Sequence, residues 1–233
     1  MRWLARAVGI ALLAFVVFSV APVLALRWVH PWTSAFMLEA SFAARTEREP
    51  YVTRYTWRDL GQISREAPLA VVASEDQRFP FHWGFDFDAI QKAVRNNERG
   101  EPIHGASTIS QQVAKNLFLW GEQSYLRKGL EAWFTVLIER LWPKQRILEV
   151  YLNIAQFGRG IYGVEAAARQ FYRKPASRLT SREAAQLAAV LPNPRRLHAD
   201  APSPYVEART DTILAQMRAL GGPAYLKGIV PGS

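Results

Sequence analysis

The chain has 233 residues, with 29 Lys and Arg against 20 Asp and Glu, a formal net charge of +9, and 49% apolar residues. That composition suits a globular chain with a real core and excludes a disordered, collagenous or low-complexity protein. There is no cysteine, and His30, His82, His104 and His198 form no His-Glu-x-x-His pair, so disulfide scaffolds, thiolate nucleophiles, iron–sulfur clusters and zincin-type sites are excluded together.

Residues 7–26 (AVGIALLAFVVFSVAPVLAL) carry no charge and have about the 20-residue length a helix needs to cross a bilayer. Arg2 and Arg6 precede the stretch and Arg27 follows it. The apolar run is long for a cleaved leader, and its Val-Leu-Ala-Leu end is a poor cleavage site, so a retained signal anchor is favoured. The two arginines keep the short N-terminal tail cytoplasmic and send everything after Arg27 across the membrane. An exported basic domain meets anionic headgroups and phosphorylated lipids rather than nucleic acid, unless the charge merely solvates the surface.

Three segments are expected: tail and anchor at 1–27, a tether and entry segment at 28–59, and a folded domain at 60–233. From Gly61 onward apolar residues recur at spacings of three and four, which predicts an all-α or nearly all-α domain. A polar loop is expected at 97–102 (NERGEP). Thr180-Ser-Arg-Glu183 reads as a capping box opening a helix through Leu191, stopped by Pro192 and Pro194. Ser203-Pro204 begins a last helix that ends at Gly221-Gly222.

Four segments are candidates for chemistry. Gly158-Arg-Gly-Ile-Tyr-Gly163 satisfies the dinucleotide pattern G-x-G-x-x-G, with Glu183 at a plausible distance for a ribose contact. The fingerprint needs a buried strand before its first glycine, whereas residues 144–153 have helical spacing, so the glycines are expected to serve a turn with close backbone approach before a helix at 164–172. Glu75 and Asp76 end the apolar run 69–73. Desolvation against Phe79, Phe81 and Trp83 would raise the pKa of whichever acid faces inward and suit it to proton transfer, while a capping or salt-bridging pair is the plainer alternative.

As a helix, residues 105–116 align Ile109, Val113 and Leu117 on one side and Thr108, Gln111, Gln112 and Lys115 on another. That amide row suits a polyhydroxylated or phosphorylated ligand, or is a solvated face. Arg127 and Lys128 with Glu131 are, on spacing alone, an ordinary helix ion pair.

Taken together, these segments resemble the motifs of the peptidoglycan glycosyltransferase family, the domain of class A penicillin-binding proteins and of monofunctional biosynthetic peptidoglycan transglycosylases. The motifs are Glu75-Asp-x-x-Phe79 with His82 and Gly84, Gly105-Ala-Ser-Thr-Ile-Ser-Gln-Gln112 through Lys115-Asn116, Arg127-Lys-x-x-Glu131, Ile147-Leu-Glu-x-Tyr-Leu-Asn153, and Phe157-Gly-x-Gly-x-x-Gly163. The resemblance covers roughly residues 60–194, and no Ser-x-x-Lys of a transpeptidase occurs in the sequence. The monofunctional type is the expected match.

The resemblance implies a mostly α, lysozyme-like glycosyltransferase domain behind one N-terminal transmembrane helix, in the cytoplasmic (inner) membrane with its catalytic domain extracytoplasmic. It implies polymerisation of lipid II with release of undecaprenyl pyrophosphate. Glu75 would be the general base and Glu131 the second essential acid, orienting cations or helping to hold a divalent ion. Lys115, Arg127 and Lys128 would bind the leaving pyrophosphate, and Ser107, Gln111, Gln112 and Asp76 would line the substrate cleft. No metal ligand set is assigned and no cofactor is certain, with Mg2+ or Mn2+ left open. The implied partners are lipid II, the growing lipid-linked glycan, the membrane and other cell-wall synthesis proteins, without nucleic acid.

Two positions depart from the family pattern: Ala106, where many members have a second glycine, and Gln123, where many have an arginine. The second removes one expected phosphate contact and predicts weakened pyrophosphate binding. Phe118, Leu119 and Trp120 are expected either to dip into the membrane interface or to pack in the core. The rival readings are a lytic enzyme of related fold, which has no pyrophosphate to neutralise, and a non-catalytic glycan-binding scaffold.

Overall fold

A computed structural model of the chain describes residues 2–98 and 107–232. Residues 99–106, which hold Gly105, Ala106 and most of the polar loop expected at 97–102, lie outside the described residues. The elements in chain order are α1 (Arg2–Leu26), α2 (Ala35–Thr46), β1 (Arg54–Tyr55), α3 (Glu66–Glu75), α4 (Phe87–Glu98), α5 (Ile109–Phe118), α6 (Tyr125–Leu141), α7 (Lys144–Ile154), β2 (Gln156–Gly158), β3 (Ile161–Tyr162), α8 (Val164–Tyr172), α9 (Ser181–Val190) and α10 (Pro204–Ala219). The fold is mostly helical, as the apolar spacing predicts.

α3 is apolar on every face, and all seven residues 67–73 are buried. A helix without a polar face can only be central, and α3 packs against α7, α9 and α10. Its last residue, Glu75, therefore emerges where the core meets a cleft. α5 carries Ile109, Val113 and Leu117 into the core and packs on α2, α6 and α7.

Local signals place the ends of these helices. Thr180 caps α9 in a complete capping box with Glu183, and Ser203 caps α10 ahead of Pro204, both as expected. α5 opens on a second capping box, Thr108 with Gln111.

The β-strands among the described residues form a three-stranded ribbon in the order β1-β3-β2, with β1 parallel and β2 antiparallel to β3. It holds the Gly158–Gly163 turn. Gly160 and Gly163 have φ of +72° and +83°, and a Cβ there would come within 2.4 Å of the Val52 carbonyl and 2.5 Å of the Asn153 carbonyl. The glycines thus serve close backbone approach, and α7 occupies the place a dinucleotide site needs for its first strand. The strand that ends at Gly158 is three residues long and antiparallel to β3, a short feature that helical periodicity does not reveal.

The segment 28–59 is more than a tether. It contains α2, capped by Ser34 and burying Met37, Ala40 and Ala44, as well as β1. α1 is long and apolar enough to cross a membrane, and most of its apolar surface is uncovered. Its C-terminal end is fastened to the domain. The Arg146 guanidinium donates to the carbonyls of Leu26 at 2.9 Å and Val29 at 2.7 Å, Trp142 Nε1 donates to the Val23 carbonyl at 2.7 Å, and Arg27 donates to the Leu141 carbonyl at 2.6 Å.

Candidate active site

Asp76 joins two of the motifs. Gly84 N–H donates to His82 Nδ1 at 3.1 Å, which leaves the proton on Nε2, and Nε2 donates to Asp76 at 2.9 Å. Asp76 Oδ2 also accepts the Ile109 N–H at 3.0 Å, one of the free donors in the first turn of α5. Thr108 Oγ1 donates to the Gly84 carbonyl at 2.6 Å. Gly84 has φ of +86°, and a Cβ there would meet Thr135 at 2.7 Å, so glycine is required. Asp76 lines the cleft, but both of its oxygens are engaged in joining the end of α3 to the start of α5.

That junction sets Glu75 beside α5. Gln112 Nε2 donates to Glu75 Oε2 at 3.0 Å, and the buried Tyr151 hydroxyl donates to Gln112 Oε1 at 3.0 Å, which turns the amide so that its NH2 faces the carboxylate. Arg209 Nη2 lies 3.6 Å from Glu75 Oε1. Burial raises the Glu75 pKa above the ordinary carboxylate range and Asp76 adds to it, against the Gln112 hydrogen bond and the charges of Arg209 and Lys115. Its place at a helix C-terminus acts in the raising direction too. The desolvation does not come from the aromatics the sequence suggested: Phe79 is buried, but Phe81 and Trp83 are 67% and 74% exposed.

Glu75 and Asp76 line a cavity of about 520 Å³ together with Arg78, Arg95, Ser107 and Thr108. Ser107 therefore stands in the cleft. Gln111 is buried, and its Oε1 accepts the Thr108 N–H in the capping box. Of the two glutamines, Gln112 is the one that reaches Glu75. The row of polar residues on α5 is not a solvated face, because Thr108 and Gln111 are buried.

One turn along α5 from Gln112 stands Lys115. Burial lowers its pKa and Glu131 raises it, while Arg127 and Lys128 lower it further. Arg127 Nη1 bonds Glu131 Oε2 at 2.9 Å, and Lys128 pairs with the other oxygen. Glu131 is 3% exposed and Arg127 7%, so the pair is an interior feature rather than the surface ion pair its spacing suggests. The Arg127 Nε is buried with no partner among the described residues. Gln123, Ser124, Tyr125, Arg127 and Lys128 line a second cavity of about 480 Å³.

Both Glu131 oxygens are taken by cations, and no three His, Asp or Glu side chains converge among the described residues. These residues do not form a metal cradle. Leu119 is buried and Phe118 stacks on Phe134 at 4.6 Å, while Trp120 is partly exposed. Core packing thus claims the first two.

Two neighbours of Glu75 have no assigned role in the sequence reading. Tyr151 lies inside a recognised motif but reads as core. Arg209 lies beyond residue 194, and the signal that finds it is its place on α10, beside the buried stripe Val206, Thr210, Ile213 and Met217.

A largely buried carboxylate at a cleft, with Lys115, Arg127 and Lys128 gathered on the neighbouring helices α5 and α6, is a site suited to group transfer. A family model described as transglycosylase matches residues 42–218. The biosynthetic peptidoglycan transglycosylase of Xanthomonas campestris pv. campestris (strain B100) is 55% identical over 228 residues, covering 97% of this chain and 91% of the relative. The protein of the same name from Pseudomonas syringae pv. syringae (strain B728a) is 54% identical over 219 residues, covering 94% and 93%. The one from Pseudomonas entomophila (strain L48) is 53% identical over 223 residues, covering 96% and 94%. The chain belongs to the transglycosylase family and is a glycosyltransferase.

Proposed function

We propose that this enzyme polymerises lipid II into linear glycan strands, releasing undecaprenyl pyrophosphate, from a domain held on the outer side of the cytoplasmic membrane by α1. The observation that carries the reading is the layout of α5. Gln112 contacts the carboxylate Glu75, and Lys115, one turn on, joins the cations Arg127 and Lys128 around Glu131. One rigid helix thus spaces a proton acceptor from an anion site.

In the transfer step the 4-hydroxyl oxygen of the acceptor sugar attacks the anomeric carbon of the lipid-linked donor. Its proton passes to the Glu75 carboxylate. The bond from the anomeric carbon to the phosphate oxygen breaks, and its electron pair leaves on the pyrophosphate, with inversion at carbon. Negative charge grows on the leaving oxygen as that bond lengthens, so fixed cations there lower the barrier more than they tighten ground-state binding. Glu131 holds Arg127 and Lys128 in place for that task. A raised pKa makes the ionised Glu75 carboxylate a stronger base toward the acceptor proton.

Polymerisation of labelled lipid II by the full chain in detergent, with products resolved on a gel, tests the reading. Long chains from the wild type and none from Glu75→Gln are expected. Cleavage of preformed glycan instead would place the enzyme with lytic relatives, and an unaffected biological role of Glu75→Gln would point to a scaffold.

A further inference from the structure

Glu75 is approached by charge from three sides. Arg209 comes from α10, Lys115 from α5, and Asp76 follows Glu75 itself and is occupied by His82. The uncharged groups on the remaining sides are Gln112 from α5 and, behind it, Tyr151 from α7. Arg209 has no other ion pair among the described residues, and its Nε is buried without a partner.

The separation of 3.6 Å is informative. It is an ion-pair distance, longer than a hydrogen bond, so the charge acts on Glu75 without a fork of N–H groups clamping both oxygens. Gln112 fixes Oε2, and Oε1 keeps a lone pair for an incoming proton.

We propose that Arg209 is a positioning residue for the transfer step, holding Glu75 ionised and leaving Oε1 as the atom that accepts the proton. This rests on the reading of Glu75 as the general base. The arginine offsets the burial that drives the carboxyl toward its neutral form. Without it Glu75 stays protonated to higher pH and is lost as a base near neutrality.

The test is kcat/KM for lipid II polymerisation by the full chain in detergent between pH 5 and 9, for wild type, Arg209→Met and Arg209→Lys, with Glu75→Gln alongside. In Arg209→Met the acid limb moves to higher pH, so that the deficit grows as pH falls and approaches about tenfold on the acid limb for a displacement of one pH unit. Arg209→Lys keeps the limb near its wild-type position. A deficit of Arg209→Met that is equal at all pH values, no deficit, or a Lys variant displaced as far as Met overturns the inference. If Arg209→Met does not fold, Arg209→Gln carries the same expectation. An active Glu75→Gln would instead overturn the reading of the base, whatever the arginine variants do.

Discussion

At the residue scale, the burial that would suit Glu75 to the proposed proton transfer works against stability. Burial lifts its pKa above the unfolded value, so its ionisation costs stability once pH exceeds the ordinary carboxylate value, and the cost grows until the folded value is passed. The melting temperature of Glu75→Gln relative to wild type should therefore rise between pH 4 and pH 8, while polymerisation falls by roughly 10²–10⁴-fold, the range for loss of a general base. Calorimetry at several pH values and the gel assay measure the two. Lys115 is displaced in the opposite sense, its pKa lowered mainly by burial. If it must be charged to hold the leaving group, the basic limb of the rate profile falls below the ordinary lysine range, just as the acid limb lies above the ordinary carboxylate range. A narrowed bell in kcat/KM against pH is the expected outcome. Gln123→Arg adds a cation to the cavity it shares with Arg127 and Lys128 and should raise kcat/KM, which initial-rate measurements would detect.

At the element scale, the ends of helices do the positioning. His82 and Asp76 tie α3 to α5 through one N–H at the start of a helix. His82→Ala strips Asp76 of a buried donor and should cost about 1–3 kcal/mol, the range for such a loss, as read by denaturant unfolding. Gly163→Ala combines a φ of +83° with a contact to the Asn153 carbonyl. Strain of about 1–3 kcal/mol is expected from the backbone alone, and the same unfolding measurement reports it. Glu165 shows how a buried acid is made affordable. Burial raises its pKa, yet the Ala176 N–H and the Arg169 and Arg58 side chains lower it on balance. Its contribution is therefore present above the unfolded carboxylate value and lost as pH falls.

At the scale of the whole molecule, α1 is a structural part of the domain as well as a candidate span. Arg146 reaches two carbonyls at its end, and Phe15 meets the Trp133 ring at 5.7 Å, well inside α1. Hydrogen bonds to a charged group are worth about 1.5–3 kcal/mol. Arg146→Ala should thus lower the melting temperature in detergent by about 4–8 °C, taking 2 kcal/mol at 2–4 °C each. A shift under one degree would mean that the clamp carries no load.

The sequence by itself determined the mostly helical class, the apolar N-terminal stretch, the capping boxes, and the ordered motifs that place Glu75, Lys115 and Glu131 in a transglycosylase. These are local signals: caps, glycine requirements and apolar spacing act over a few residues, and motif order survives along the chain. The tertiary structure decided which side chains face one another. Asp76 and Gln111 stand in recognised motifs, yet their polar atoms are engaged in holding the start of α5. Arg209 lies 134 positions from Glu75 in the chain and meets it because α10 packs on α3. The Arg127–Glu131 spacing is ordinary, and only the burial of that pair makes it part of an interior charge cluster. Facing, burial and desolvation are properties of packed helices, set by residues far apart in the chain.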